Sequence, residues 1–178
     1  DPVLREHFQR AANPSITPAR IATVSTCSAT DELALRIARR ARAAAEAMVV
    51  SPNVNARWHD DFLEVFEDVN IGMGVALGDK GLIVPVIRAT QTLTLKQTAA
   101  QLGDLTERAR KNQLKPADVQ GGTFTISNHG VSGSLVATPI IINQPQSAIL
   151  GIGKTEKRVV VREVDGVDTI QIRPLAYV

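Results

Sequence analysis

Gly121-Gly122-Thr123-Phe124-Thr125-Ile126-Ser127-Asn128-His129-Gly130 decides how this chain is read. Thr123 to Ser127 alternates polar and β-favouring apolar side chains, the period of a strand with two different faces. Gly121-Gly122 interrupts what comes before, and the strand ends by delivering a hydroxyl and an amide to a bend containing Gly130 and Gly133. A glycine-rich bend permits close approach to backbone N–H groups. Read on chemistry alone, a polar strand end with turn glycines is favoured over a site.

Downstream, Ala148 to Ile152 reads as a second strand. Arg158 to Val164 and Val167 to Ile172 form two arms joined by Asp165-Gly166, a strong short-range hairpin signal because both turn positions need positive φ. Upstream, Thr94 opens a helix in which Leu95, Ala99, Leu102, Leu105 and Ala109 recur at intervals of three and four. That helix ends near Lys111-Asn112, and Pro116 and Asp118 start a further turn. Phe62 to Phe66 alternates with a period of two and leads into the apolar run Ile71 to Leu77. Gly78-Asp79-Lys80-Gly81 supplies a tight turn before the strand Leu82 to Ile87, where Pro85 cannot donate to a ladder and marks an edge or a bulge.

Thr30 or Asp31 caps an Ala-, Arg- and Leu-rich helix from Glu32 to about Met48, stopped by Ser51-Pro52-Asn53. Pro2 to Ala12 reads as a short helix and Ile21 to Ser25 as a strand. Strands separated both by helices and by direct hairpins imply a mixed sheet, so the fold class is α/β or α+β.

The chain has 178 residues, 44% of them hydrophobic, enough for one sizeable core and a single domain. Twenty Lys and Arg stand against 18 Asp and Glu, a net +2 spread along the sequence, so nothing calls for nucleic acid. Two basic clusters, Arg36 to Arg42 and Lys154 to Arg158, are able to meet an anion. For the first we read a solvated helix face. Cys27 has no disulfide partner, and His59 and His129 lack a second nearby metal ligand, so no metal site is expected and a reducing compartment fits. No run approaches the roughly 18 apolar residues of a membrane span, and the first residues shown lack a charged region followed by an apolar signal core.

Three ordered blocks covering more than half of the chain resemble one family, the catalytic domains of the dihydrolipoamide acyltransferases of 2-oxo acid dehydrogenase complexes. They are Asn70-Ile71-Gly72 with Gly81 to Arg88, then Gly121 to Asn128, then Pro145-Gln146-Ser147-Ala148-Ile149-Leu150-Gly151-Ile152-Gly153. The resemblance implies a fold similar to chloramphenicol acetyltransferase, a mixed sheet flanked by helices. It also implies homotrimers built into a cubic or icosahedral core, in the bacterial cytoplasm or the mitochondrial matrix. The implied reaction moves an acyl group, succinyl or acetyl, from dihydrolipoyl-lysine on a separate lipoyl domain to coenzyme A, with E1 and E3 components as further partners.

On the same grounds Ser127 stands where the family places a hydroxyl donor to the tetrahedral intermediate. Asn128, Gly151 and Gly153 would shape the coenzyme A side, the glycines by admitting a bulky anionic ligand. The base in that family is a histidine in His-x-x-x-Asp-Gly, expected beyond Val178; His129 reads instead as an ordinary turn histidine. Where relatives carry two helices joined by a loop, Asp31 to Asn53 here reads as one. The alternative function is that of a catalytically silent core relative that binds partner subunits.

Overall fold

A computed structural model describes residues 29–78, 81–136 and 140–178. The expected helix 2–12, the strand 21–25 and Cys27 lie outside the described residues. Helix α1 spans Ala29–Val50 and α2 spans Leu95–Arg110. Ten strands follow chain order: β1 Ala56–Trp58, β2 Leu63–Val65, β3 Ile71–Met73, β4 Val75–Ala76, β5 Leu82–Ile83, β6 Val86–Ile87, β7 Phe124–Asn128, β8 Ile149–Ile152, β9 Glu156–Val164 and β10 Val167–Leu175.

The central sheet runs β6-β3-β7-β8. Its β3–β6 pair is antiparallel and its β3–β7 and β7–β8 pairs are parallel, so the sheet is mixed, as expected from the alternation of hairpins and crossovers. Alternation along the strands sends Ile71, Met73, Phe124 and Ile126 to one face. There they join Ala41, Ala45 and Met48 of α1 and Leu102 and Leu105 of α2 in one core. Fully buried Ala38, Ala41 and Ala45 leave α1 without bulk on its inner face, which lets the helix lie close to its neighbours.

Helix α2 begins where the sequence indicates. Thr94 is its N-cap and Gln97 completes a reciprocal capping box, satisfying two backbone donors that an uncapped helix leaves orphaned. In the 3-10 turn Pro116–Asp118 the Asp118 carboxylate accepts from Arg108 at 2.5 Å and from the Lys115 amide at 2.7 Å, which fastens that turn to α2. Helix α1 starts at Ala29, so Thr30 and Asp31 fall inside its first turn instead of preceding it. One helix does fill the space before Asn53.

Two expected strands are broken. Ile71 to Leu77 divides at Gly74 because the Met73 amide goes to the Pro85 carbonyl while the Gly74 amide crosses to Ile126. Leu82 to Ile87 divides at Val84-Pro85, so β5 pairs with β4 in a small separate ribbon while β6 joins the main sheet. Pro85 thus marks a bulge between two pairings. In the first basic cluster Arg36 pairs with Glu32 in solvent, in keeping with a solvated face. Arg42 departs from it: its guanidinium also donates to the carbonyls of Thr90, Gln91 and Leu93 and ties α1 to the turn before α2.

Strands β9 and β10 form a nine-by-nine-residue ribbon of their own, turning at Asp165 (φ 52°) and Gly166 (φ 78°). Val159 faces Ile172 and Val161 faces Ile170 across one side of this ribbon, and all four are 64–78% exposed.

Candidate active site

Ser127 is the last but one residue of β7, at the carboxyl end of the parallel set β3-β7-β8. Its register partner is Gly151, and strand alternation puts Ser127, with Thr125, on the face opposite Phe124 and Ile126. Among the described residues no helix packs on that face. It is covered instead by the β1–β2 hairpin and the segment leading to β8. The Trp58 amide donates to Pro145 O at 3.2 Å, the Ser147 amide donates to Ala56 O at 3.0 Å, and the Thr125 hydroxyl donates to Gln146 Oε1 at 2.6 Å. Ser127 remains half-buried.

The start of β7 is held by buried polar groups that sequence reading passed over. Asn55, 2% exposed, donates through Nδ2 to the carbonyls of Phe66 (2.8 Å) and Asp68 (3.1 Å) and accepts from the Thr123 hydroxyl at 2.5 Å. Thr123 Oγ1 accepts from the Asn70 amide at 3.0 Å, across 53 residues of chain. Each of these atoms is satisfied, so the network sets one register for β7 against β3 and hence one position for Ser127. The only hint in the sequence was the polar character of Asn55 and Thr123 beside apolar runs.

Asn128 pairs with Ile152, a core residue, so its side chain leaves the strand on the other face from Ser127. The two adjacent residues are not brought side by side. Gly151 and Gly153 are close-approach glycines, but the approach is made by this chain itself. A Cβ on Gly151 would collide with Ile140 Cδ1 and come within 3.4 Å of His129 Cε1; a Cβ on Gly153 would collide with the Leu135 carbonyl. A side chain at either position would therefore displace residues of this chain.

His129 does open a turn, the 3-10 segment His129–Ser132, whose Ser132 hydroxyl donates to His129 O at 2.7 Å. What sequence reading did not anticipate is where the ring goes. It lies over Gly151, on the face of Ser127, with Nδ1 buried and without a hydrogen-bond partner among the described residues. His59 is apart from this region, stacked on Phe62 at 4.3 Å and within 3.1 Å of Glu64. A polar cleft lined by Arg57, Gly72, Gly122 and Gln146 also opens on that face, at the Gly122 end of β7 and not at the Ser127 end. No helix among the described residues is long and apolar enough to cross a membrane.

This geometry has close counterparts. The chain is 44% identical over 137 residues to the dihydrolipoyllysine-residue succinyltransferase component of the 2-oxoglutarate dehydrogenase complex of Rickettsia felis, a match covering 77% of this chain and 33% of that protein. It is 42% identical to the dihydrolipoyllysine-residue acetyltransferase component of the pyruvate dehydrogenase complex of Corynebacterium glutamicum, over 76% of this chain and 20% of that one. The chain therefore spans about a third or less of these relatives. Among solved structures, the cubic core of the pyruvate dehydrogenase multienzyme complex superposes with a TM-score of 0.70 at 33% identity, covering 82% of this chain and 61% of that one. Residues 35–178 match the model of the catalytic domain of the 2-oxoacid dehydrogenase acyltransferases, and the chain belongs to that family.

Proposed function

We propose that this chain supplies the acyl-transfer site of a dihydrolipoamide acyltransferase, passing a succinyl or acetyl group from dihydrolipoyl-lysine to coenzyme A within a 2-oxo acid dehydrogenase complex. The observation that carries this is the half-buried Ser127 hydroxyl at the carboxyl end of the parallel strands, on the sheet face that no helix of the described residues covers. Clefts beyond the carboxyl ends of parallel strands are where α/β sheets place their ligands.

Both reacting groups carry sulfur. The attacking thiol of coenzyme A has an ordinary pKa of about 8.5 and is only a few per cent thiolate near neutrality, so a base must take its proton. Positioned base catalysis contributes about 10² to 10⁴ in rate. The base is assigned to the histidine of the His-x-x-x-Asp-Gly segment that follows this part of the fold in the family. As the thiolate sulfur bonds to the thioester carbon, the carbonyl π electrons move to oxygen. When the carbonyl re-forms, the dihydrolipoyl sulfur leaves and takes a proton. The Ser127 hydroxyl donates to the transient oxyanion, a contribution of about 10² to 10³. Asn128, on the opposite face of β7 from Ser127, is assigned to the coenzyme A side, and Gly151 and Gly153 act there by letting Ile140 and the Leu135 carbonyl lie against them.

Assembly belongs to the same reading. Val159, Val161, Ile170 and Ile172 form an uncovered apolar stripe on the β9–β10 ribbon, of the kind that marks a contact surface. Its occupant is a second copy of this chain, in trimers that build a larger core served by lipoyl domains and the E1 and E3 components. A bacterial cytoplasm or mitochondrial matrix is the corresponding location.

The deciding assay measures transfer from acetyl- and succinyl-dihydrolipoamide to coenzyme A in the intact protein, comparing wild type with Ser127→Ala. Turnover is expected to fall by about 10² while the sedimentation of the assembled core stays the same. Equal turnover would remove Ser127 from the mechanism, and the absence of transfer in wild type would leave only the silent-core alternative.

A further inference from the structure

The β9–β10 ribbon turns its apolar face to solvent. Arg158, Val160, Thr169 and Gln171 on one face are half-buried, whereas every residue of the other face, which carries the two Val–Ile pairs, is exposed. A two-stranded ribbon with nothing packed on it is only marginally stable in water, so this face calls for a cover. Its two ends carry opposite charge. Lys157 stands at the base, and Glu163 and Asp168 face each other near the turn. Like charges directly opposite in a sheet are unfavourable, and among the described residues no ion pair involves any of these three side chains. A cation brought to the turn end would offset the repulsion, and the face itself holds one at its base. Lys157 and Glu163 lie on one strand about 20 Å apart, beyond the screening length of about 10 Å at 0.1 M salt, so the two can pair only between copies.

We propose that the ribbon docks face to face on the same face of a second copy, with strand directions reversed and a two-fold axis crossing the ribbon between the Val–Ile pairs. The inference rests on the assembly reading above and gives that contact its symmetry. Reversal sets Lys157 against Glu163 of the partner subunit, and the two-fold repeats this pair at the other end. Val159 then meets Val161 of the partner subunit, and Ile170 meets Ile172 of the partner subunit, so the apolar centre closes on itself as two sheets do in a sandwich. The other face-to-face two-fold, with strand directions kept, gathers the four carboxylates at one end; charge therefore selects the reversed arrangement. Nine residues per strand give a face of roughly 30 Å by 10 Å, well below the roughly 800 Å² per partner of a stable complex. The contact thus acts as one of several in an assembled core, and it does not hold an isolated dimer.

The test uses the intact protein and follows sedimentation through a dilution series for wild type, Lys157→Glu, Glu163→Lys and the variant carrying both changes. A far-ultraviolet spectrum and acyl transfer to coenzyme A are recorded for each. Either single change sets like charges against each other twice in a two-fold contact, and should raise the concentration at which half of the core dissociates by about tenfold. The double change restores opposite charges only where these same two positions meet, so it should bring that concentration back to within about threefold of wild type. A double variant no better than the singles, or singles that assemble like wild type, would overturn the contact. In the second case, a lower urea midpoint for Ile170→Glu at unchanged sedimentation identifies a segment of the same chain as the cover. Wild type that assembles but transfers no acyl group refutes the acyltransferase reading and leaves the contact standing, whereas transfer with no response of assembly to the charge swap refutes the contact alone.

Discussion

Replacing Asn55 by alanine should be among the most costly single changes away from the reacting groups, and its size can be worked from the structure. The substitution removes two donations, to Phe66 O and Asp68 O, and the acceptor of the Thr123 hydroxyl. Thr123 keeps a second acceptor, Asn70 O at 3.3 Å, so two carbonyls are the groups left bare. An unsatisfied buried acceptor costs about 1 to 3 kcal/mol. Partial hydration of the emptied space favours the lower end, giving a loss of about 2 to 4 kcal/mol. With a urea m-value of about 2 kcal/mol/M, the unfolding midpoint followed by circular dichroism should drop by about 1 to 2 M. Thr123→Val should also destabilise, because it strands the Asn70 amide and Asn55 Oδ1. The double variant should then lose about 1 kcal/mol less than the sum of the two, the mark of a shared bond. A loss below about 1 kcal/mol in Asn55→Ala with an unchanged m-value would refute the claim that these bonds are buried and fully formed.

Gly151→Ala should destabilise by about 1 to 3 kcal/mol, since its Cβ forces Ile140 aside and presses on His129, and an unchanged urea midpoint would contradict that close packing. The hydrogen bond from Arg108, helped by the Lys115 amide, lowers the Asp118 carboxyl below its usual range. A depressed folded-state value means that the contribution is complete above the ordinary carboxylate pKa and is lost as pH falls through the depressed one. Urea midpoints of wild type and Asp118→Asn should therefore differ at pH 6 and converge only as the pH falls below the ordinary carboxylate range; a difference independent of pH contradicts the ion pair. Ile170→Glu should leave the far-ultraviolet spectrum of the chain unchanged and reduce the sedimentation coefficient of the assembled core, because that side chain is 78% exposed on the apolar stripe of the ribbon. Normal assembly would remove this face from the interface.

Local chemistry in the sequence was enough to place α2 by Thr94 and Gln97, the ribbon turn by Asp165-Gly166, and β7 by the alternation from Thr123 to Ser127. In each case the deciding interactions lie within a few residues of one another: a capping box, a pair of positive-φ positions, a pleat. The run 71–77 and the stretch 82–87 each read as single strands because apolar content and β-propensity are continuous across Gly74 and Val84-Pro85. Where one pairing stops and another begins depends on which distant amide reaches which carbonyl. Met73 to Pro85 and Gly74 to Ile126 are long-range choices that no window of local sequence contains.

The same division holds at the candidate site. Sequence alone determined that a hydroxyl and an amide follow one another at the end of a β-strand, because pleating and glycine placement are local properties. Only the tertiary structure decided that Ser127 and Asn128 face opposite sides of the sheet at this point, that Gly151 makes room for Ile140 and His129, and that Asn55 anchors Thr123. Those outcomes follow from register between strands far apart in the chain, and register is settled by the burial and hydrogen-bond satisfaction of the whole sheet at once.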